Sequence, residues 1–396
     1  PEIRIVNCLF CNGWSIRELL EGDTFIMAAR NRVIDLYKGI AIIMVILVHS
    51  TQRFANLSNV FQIFNVGQFG CKIFFVLSGY LSMKSCEQDK NRFYRKKFCA
   101  IAPGYYLLIL ITVILDALVR LVTNGEHDLG KNTSGIAILC NVLFLNGILP
   151  FCNNNVVGGG WYIGTISIMY FFTPYIYNFL QIINKKHFVP GLWFVFSGIL
   201  AGILSVCLHK HVFHNNGFYY FSFIEQMPCF LLGCVLYSER DHIKQKNILG
   251  GGYFGGAIGF MFVVGSILCF LFAHISFLEF LYLLVPVTFA YGFYFFIRRA
   301  ILKPEEFPKN NILTIIEYFG KNSFFIFLVH TFFVWHMPEL VLFLLSKEGV
   351  ILNITGVYLL MLPFMFVFSL FSSIIYRNLC NKITRWLIIK FVRENS

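Results

Sequence analysis

The chain has 396 residues, of which 57% are hydrophobic and only 13% are charged, and its formal net charge is +12. An average soluble domain has ~25% charged residues, so this composition excludes an ordinary soluble protein. The positive charge does not indicate nucleic-acid binding, because the lysines and arginines lie beside apolar stretches, where they set topology and contact anionic headgroups. We therefore predict an integral membrane protein that binds no nucleic acid.

Apolar stretches long enough to cross a bilayer follow one another along the chain, since ~20 residues span the hydrocarbon core as a helix. The predicted spans are 34–52, 67–84, 100–122, 159–183, 188–208, 219–238, 248–273, 276–297, 312–336 and 354–376. A further stretch, 135–152, contains Asn141, Asn146 and Pro150, which are unusual in a spanning helix. The fold class predicted is all-α, a polytopic membrane protein of about ten transmembrane helices.

Basic loops decide how the stretch 135–152 is placed. Loops rich in lysine and arginine face the cytoplasm, and ten spans put every strongly basic loop there together with both termini. If 135–152 also crossed, three basic loops would lie outside. We therefore expect this segment to be re-entrant or to lie at the outer face. Residues 1–29 are then a cytoplasmic extension, and residues 30–396 form one membrane domain.

The first predicted span carries three ionisable residues on one face. Asp35, Lys38 and His49 are separated by 3 and 11 positions, and on a helix these spacings share a side, with Lys38 and His49 ~16 Å apart along the axis. Ionisable residues within a span are functional candidates. His49 is a candidate general base, because imidazole titrates near neutral pH. In the alternative, Lys38 is an interfacial anchor paired with Asp35, and His49 bonds another helix.

The second span and the loop after it add a small polar position and a cationic cluster. Ser78 follows an aromatic run and precedes Gly79, so it favours close helix packing or a contact with a catalytic group or substrate. Arg95, Lys96 and Lys97 then lie together at the membrane surface. They either set topology or bind phosphates.

Later spans add aromatic and imidazole side chains. Trp161 and Tyr170 lie in the fourth span, where they could be interfacial anchors, and His330 lies in the outer half of the ninth. Histidines and cysteines elsewhere in the chain lack the partners that a metal site needs, so we predict no metal.

In order and spacing, these elements resemble membrane-bound acyltransferase family 3, whose multi-spanning members O-acylate cell-surface polysaccharides. The family commonly has Arg where this chain has Lys38, a second Arg at Ala100 and Glu at Ile166. The segments that carry the resemblance are Asp35–His49, Phe74–Gly79, Phe93–Pro103, Trp161–Pro174 and Leu328–His330.

The resemblance implies transfer of an acyl group, usually acetyl, from cytoplasmic acyl-CoA to a sugar hydroxyl at the outer face. His49 would either deprotonate that hydroxyl or carry the acyl group covalently, and the sequence leaves both routes open. Acetyl-CoA would be the donor substrate, with no permanently bound cofactor. The residues implied are His49, Asp35 and His330 for catalysis, Lys38, Arg95, Lys96 and Lys97 for CoA, and Ser78, Trp161 and Tyr170 for substrate.

A transporter of polysaccharide or lipid-linked sugar is the alternative function, because it would use the same scaffold and intramembrane charges. It predicts no turnover of acyl-CoA. A membrane sensor or anchor is less favoured, since the sequence has no separate effector domain. The partners expected are the bilayer of the plasma membrane, acyl-CoA, a glycan acceptor and a polysaccharide synthase or exporter.

Overall fold

The computed structural model describes residues 31–52, 54, 57, 59–125, 133–149, 152–184, 200, 203–204, 207, 221–240, 252–272, 285–302, 304–347 and 353–394. These ranges contain α-helices, short 3-10 helices and no strand, which confirms the all-α class. The helices are α1 (Arg32–Gln52), α2 (Phe69–Gln88), α3 (Phe93–Val122), α4 (Gly135–Val142), α5 (Gly160–Asn184), α6 (Phe223–Ser238), α7 (Gly252–Phe272), α8 (Val285–Leu302), α9 (Asn311–Lys347) and α10 (Ile354–Glu394).

Membrane character is confirmed by the length and composition of the helices. In the part of the chain that the structure describes, 5 helical stretches are long and apolar enough to cross a bilayer. The count of ten spans stays a prediction; the predicted span 188–208 lies mostly outside the described residues, as does the extension 1–29. The stretches are Arg32–Gln52, Phe64–Gln88, Phe93–Val122, Asn311–Leu344 and Ile354–Trp386.

The helices α1 and α9 run parallel and touch through glycines. Gly39 of α1 lies against the Ile316 carbonyl, and Gly320 of α9 lies against the Asp35 carbonyl. Neither position has room for a side chain, because the backbones themselves are in contact. Arg32 forms an ion pair with Glu317 near the start of both helices, and His49 lies beside His330 further along, so the two helices have the same direction, as predicted spans one and nine require.

We expect Gly320→Ala to destabilise the fold by ~1–3 kcal/mol, because overpacking forces backbones apart. The added Cβ would fall on the Asp35 carbonyl and 2.8 Å from the Gly39 nitrogen. The measurement is thermal unfolding of the purified protein in detergent. The matched control is Gly265→Ala in α7, where no described atom lies within 4 Å of the new Cβ. Equal stability of both variants would contradict the close crossing.

The helices α3 and α5 are antiparallel, and α5 begins at the level of Tyr105, ~26 Å along the axis before α3 ends. The Tyr94 hydroxyl donates to the Phe171 carbonyl (2.9 Å) near one end, and Gly160 packs beside the Tyr105 hydroxyl further along.

The segment between α3 and α5 runs back along α3 toward the start of that helix. Thr133 donates to Asp116 (2.7 Å), whereas Asn146 donates to the Tyr105 hydroxyl (3.0 Å), a level ~16 Å further down the helix. The Tyr105 hydroxyl donates in turn to Asn141 (2.6 Å), and both asparagines are fully buried. These bonds satisfy polar groups that an apolar interior would otherwise penalise. The position of this segment in a membrane stays a prediction.

Candidate functional site

Two histidines meet inside the bundle. His49 lies near the end of α1 and His330 in the middle of α9, and their ring centroids are 5.3 Å apart. His330 is fully buried, and His49 is half-buried. The parallel packing of α1 on α9 brings these two rings to the same level, so the structure unites two of the three residues predicted for catalysis.

Hydrogen bonds fix which nitrogen of each ring is basic. Nδ1 of His330 lies 2.7 Å from the Phe327 carbonyl oxygen, and a carbonyl can only accept, so this nitrogen carries the proton. Nδ1 of His49 lies 2.8 Å from Oε1 of Gln52, and with the Gln52 amide in this orientation it is also the donor. Each neutral ring therefore presents its Nε2 lone pair. Within the described ranges, Nε2 of His330 is buried and has no hydrogen-bond partner.

Asp35, the third residue predicted for catalysis, is not at this site. It lies 14 positions before His49 on α1, ~21 Å away along the axis. It is almost completely buried, and its carbonyl packs against Gly320. Asp35 therefore cannot contact the atoms that the histidines contact, and its place is near the opposite end of α1.

The predicted cationic cluster is divided by the rotation of α3. Lys97 turns inward, where its ammonium lies 4.5 Å from the Tyr170 ring centroid and interacts electrostatically with Lys38. Lys96 is exposed and forms an ion pair with Asp89 (3.5 Å), and Arg95 is half-buried. Since successive helical residues differ by ~100°, one cluster in sequence has several directions in space. Lys38 and Lys97 thus form the inward cation pair.

Hydroxyl groups lie between the lysines and the histidines. The Ser78 hydroxyl interacts with the hydroxyls of both Tyr162 and Tyr170 as a hydrogen-bond partner. Tyr170 is also the ring under the Lys97 ammonium. The predicted substrate residues Ser78 and Tyr170 are therefore together, joined by Tyr162, which the sequence did not single out.

Aromatic rings continue this contact to the histidines. The Tyr162 ring lies 4.9 Å from the Phe327 ring, and the Phe327 ring lies 5.5 Å from the His330 ring. Trp161 packs behind this row against Phe221 (5.2 Å). A continuous series of side-chain contacts therefore connects the lysine pair with the histidine pair.

The glycine run before α5 packs directly beside His330. Gly158 lies against the Thr331 side chain, and Gly159 lies against the Phe327 ring. Gly159 has a φ of +79°, a conformation that favours glycine, and its N–H donates to Asn154 (3.0 Å). The segment that precedes α5 thus ends against Thr331 and Phe327, two neighbours of His330 on α9.

A helical membrane bundle with two basic imidazole nitrogens in its interior defines a class of membrane proteins equipped for proton or group transfer. Residues 31–378 match a family described as an acyltransferase domain, acyltransferase family 3, and the chain belongs to this family. The predicted resemblance is confirmed over nearly the whole chain. Comparisons with curated proteins and with solved structures found no match.

Proposed function

We propose that the protein transfers an acyl group, acetyl in the first instance, from cytoplasmic acyl-CoA to a hydroxyl of a glycan at the outer face of the plasma membrane. Membership of the acyltransferase family supports acyl transfer in general. The single observation that supports this proposal is the series of side-chain contacts from the lysine pair to the histidine pair. Both termini face the cytoplasm in this proposal, as the basic loops require.

The lysine pair favours an anionic donor. Lys38 and Lys97 repel each other electrostatically, and an anion between these two half-buried cations relieves that repulsion. CoA carries phosphates on its nucleotide and a long arm that ends in the thioester. The ~16 Å rise from Lys38 to His49 is of the same order as that extended arm. Phosphates held by the lysines would therefore place the thioester near the histidines.

The histidine pair favours a hydroxyl acceptor. A neutral imidazole can take the proton of a hydroxyl as its oxygen attacks a carbonyl carbon. The Nε2 atom of His330 is a buried lone pair with no donor among the described residues, which a hydroxyl would satisfy. The choice of a glycan as the source of that hydroxyl follows from the family resemblance.

The test compares surface polysaccharide from cells with and without the gene by mass spectrometry. We expect an alkali-labile acetyl ester that disappears with the gene and returns with the wild-type copy. Purified protein in proteoliposomes should then move label from radiolabelled acetyl-CoA to the deacetylated polysaccharide. Unchanged acetyl content combined with a loss of exported polysaccharide would instead favour the transporter.

A further inference from the structure

The histidine pair has two basic nitrogens, whereas acyl transfer to a hydroxyl requires only one base. Nε2 of His49 and Nε2 of His330 are both unprotonated, because each Nδ1 proton is held by an oxygen. Transfer of an acyl group to a hydroxyl releases one proton from the acceptor. One of the two nitrogens can take that proton, and the other is left with a lone pair and the electrophilic thioester carbon beside it.

The burial of His330 decides which nitrogen meets the hydroxyl. An unpaired buried acceptor costs ~1–3 kcal/mol, so such an atom usually has a donor in the working state. A thioester has no hydrogen-bond donor, whereas the acceptor hydroxyl has one. Nε2 of His330 is therefore suited to accept a hydrogen bond from the acceptor hydroxyl. His49, which is half-buried, is suited to contact the thioester.

Building on the acyl transfer proposed above, we infer that His49 is a nucleophile that carries the acyl group and that His330 is the base for the acceptor. Nε2 of His49 forms a bond to the thioester carbon, the carbon–sulfur bond breaks, and CoA leaves as the thiolate. The acceptor oxygen then attacks the acyl carbon as its proton passes to Nε2 of His330. The carbon–nitrogen bond breaks, His49 is restored, and the proton on His330 returns to the thiolate through solvent.

The geometry suits this division of roles. Ring centroids 5.3 Å apart leave an acyl group on His49 close to a hydroxyl held by His330. Gln52 holds the proton on Nδ1 of His49, which leaves Nε2 free to attack. Gln52 is a positioning residue in this mechanism, since it acts through the ring of His49.

The test is isotope exchange without any acceptor. Purified protein is incubated with acetyl-CoA and radiolabelled CoA, and label entering acetyl-CoA reports a reversible acyl-enzyme. We expect exchange in the wild type, a loss of ~100-fold in His49→Ala, and exchange within about threefold of wild type in His330→Ala, which lacks only the base for the second step. Hydroxylamine also cleaves thioesters, so unreacted acetyl-CoA is removed first; neutral hydroxylamine should then release acetyl hydroxamate from His330→Ala and none from His49→Ala.

The control is His336→Ala, an exposed histidine on the same helix, which should keep exchange and transfer. His330→Gln and elution as a single species in detergent guard against misfolding of the alanine variant. Transfer to polysaccharide without exchange in one wild-type preparation would overturn the acyl-enzyme and leave the proposed function intact. Loss of exchange in both His330 variants, with folding intact, would overturn the division of roles. Absence of both activities in the wild type would overturn the proposed function itself.

Discussion

Replacing His49 or His330 with alanine is expected to lower acyl transfer to the acceptor by ~10²–10⁴-fold, the usual contribution of a positioned acid or base. The two rings are adjacent, and the Nδ1 atom of each is bonded to an oxygen, which leaves both Nε2 atoms basic. Because the two residues act on one reaction, the double variant should be little worse than either single variant. The measurement is the initial rate of label transfer from acetyl-CoA to deacetylated polysaccharide.

His336→Ala again provides the comparison, because it removes the same ring from α9 at an exposed position. Thermal unfolding of each variant separates a catalytic loss from a folding loss. If His330→Ala unfolded like the wild type and retained transfer within a few-fold, the histidine pair would not be the catalytic site. If the double variant lost the product of the two single losses, the residues would act independently.

The membrane helices were predictable because long stretches of apolar residues identify the segments that are more stable in a bilayer than in water. Predicted span 34–52 corresponds to α1 and span 159–183 to α5, within two residues at each end. The ends of α9 and α10 were not predictable in this way. α10 continues to Glu394, well beyond the predicted end at 376, because a helix does not stop where the apolar sequence stops. The basic residues beyond position 376 extend the same helix.

The site was only partly predictable for a related reason. The spacing of Lys38 and His49 predicts that they lie on one face of a helix. It does not predict which residues of other helices contact that face. Tyr162 and the glycine run reach His330 from α5 and the segment before it, and no periodicity connects those positions. The buried Lys72, which donates to Gln226 of α6 (3.3 Å), was missed because it lies in an otherwise apolar span.

Lys97→Met is expected to raise the KM for acetyl-CoA by ~10–100-fold, since charge-assisted hydrogen bonds contribute ~1.5–3 kcal/mol. Lys97 faces inward over Tyr170 and interacts with Lys38, so it is placed to hold a donor phosphate. The kcat should change much less, because the lysines lie far from the histidines. The effect should vanish with the acetyl thioester of N-acetylcysteamine, a donor that ends in the same thioester and carries no phosphate.

Lys96→Met is the matched control, because it removes the same charge from the adjacent position, where the side chain is exposed and paired with Asp89. A diffuse attraction of the basic surface for CoA would raise the KM equally in both variants and would fall with added salt. A specific phosphate contact would raise it in Lys97→Met alone, and Lys38→Met should then add little further, since one anion bridges both cations. Equal KM values in Lys96→Met and Lys97→Met would therefore remove the inward lysine pair from donor binding.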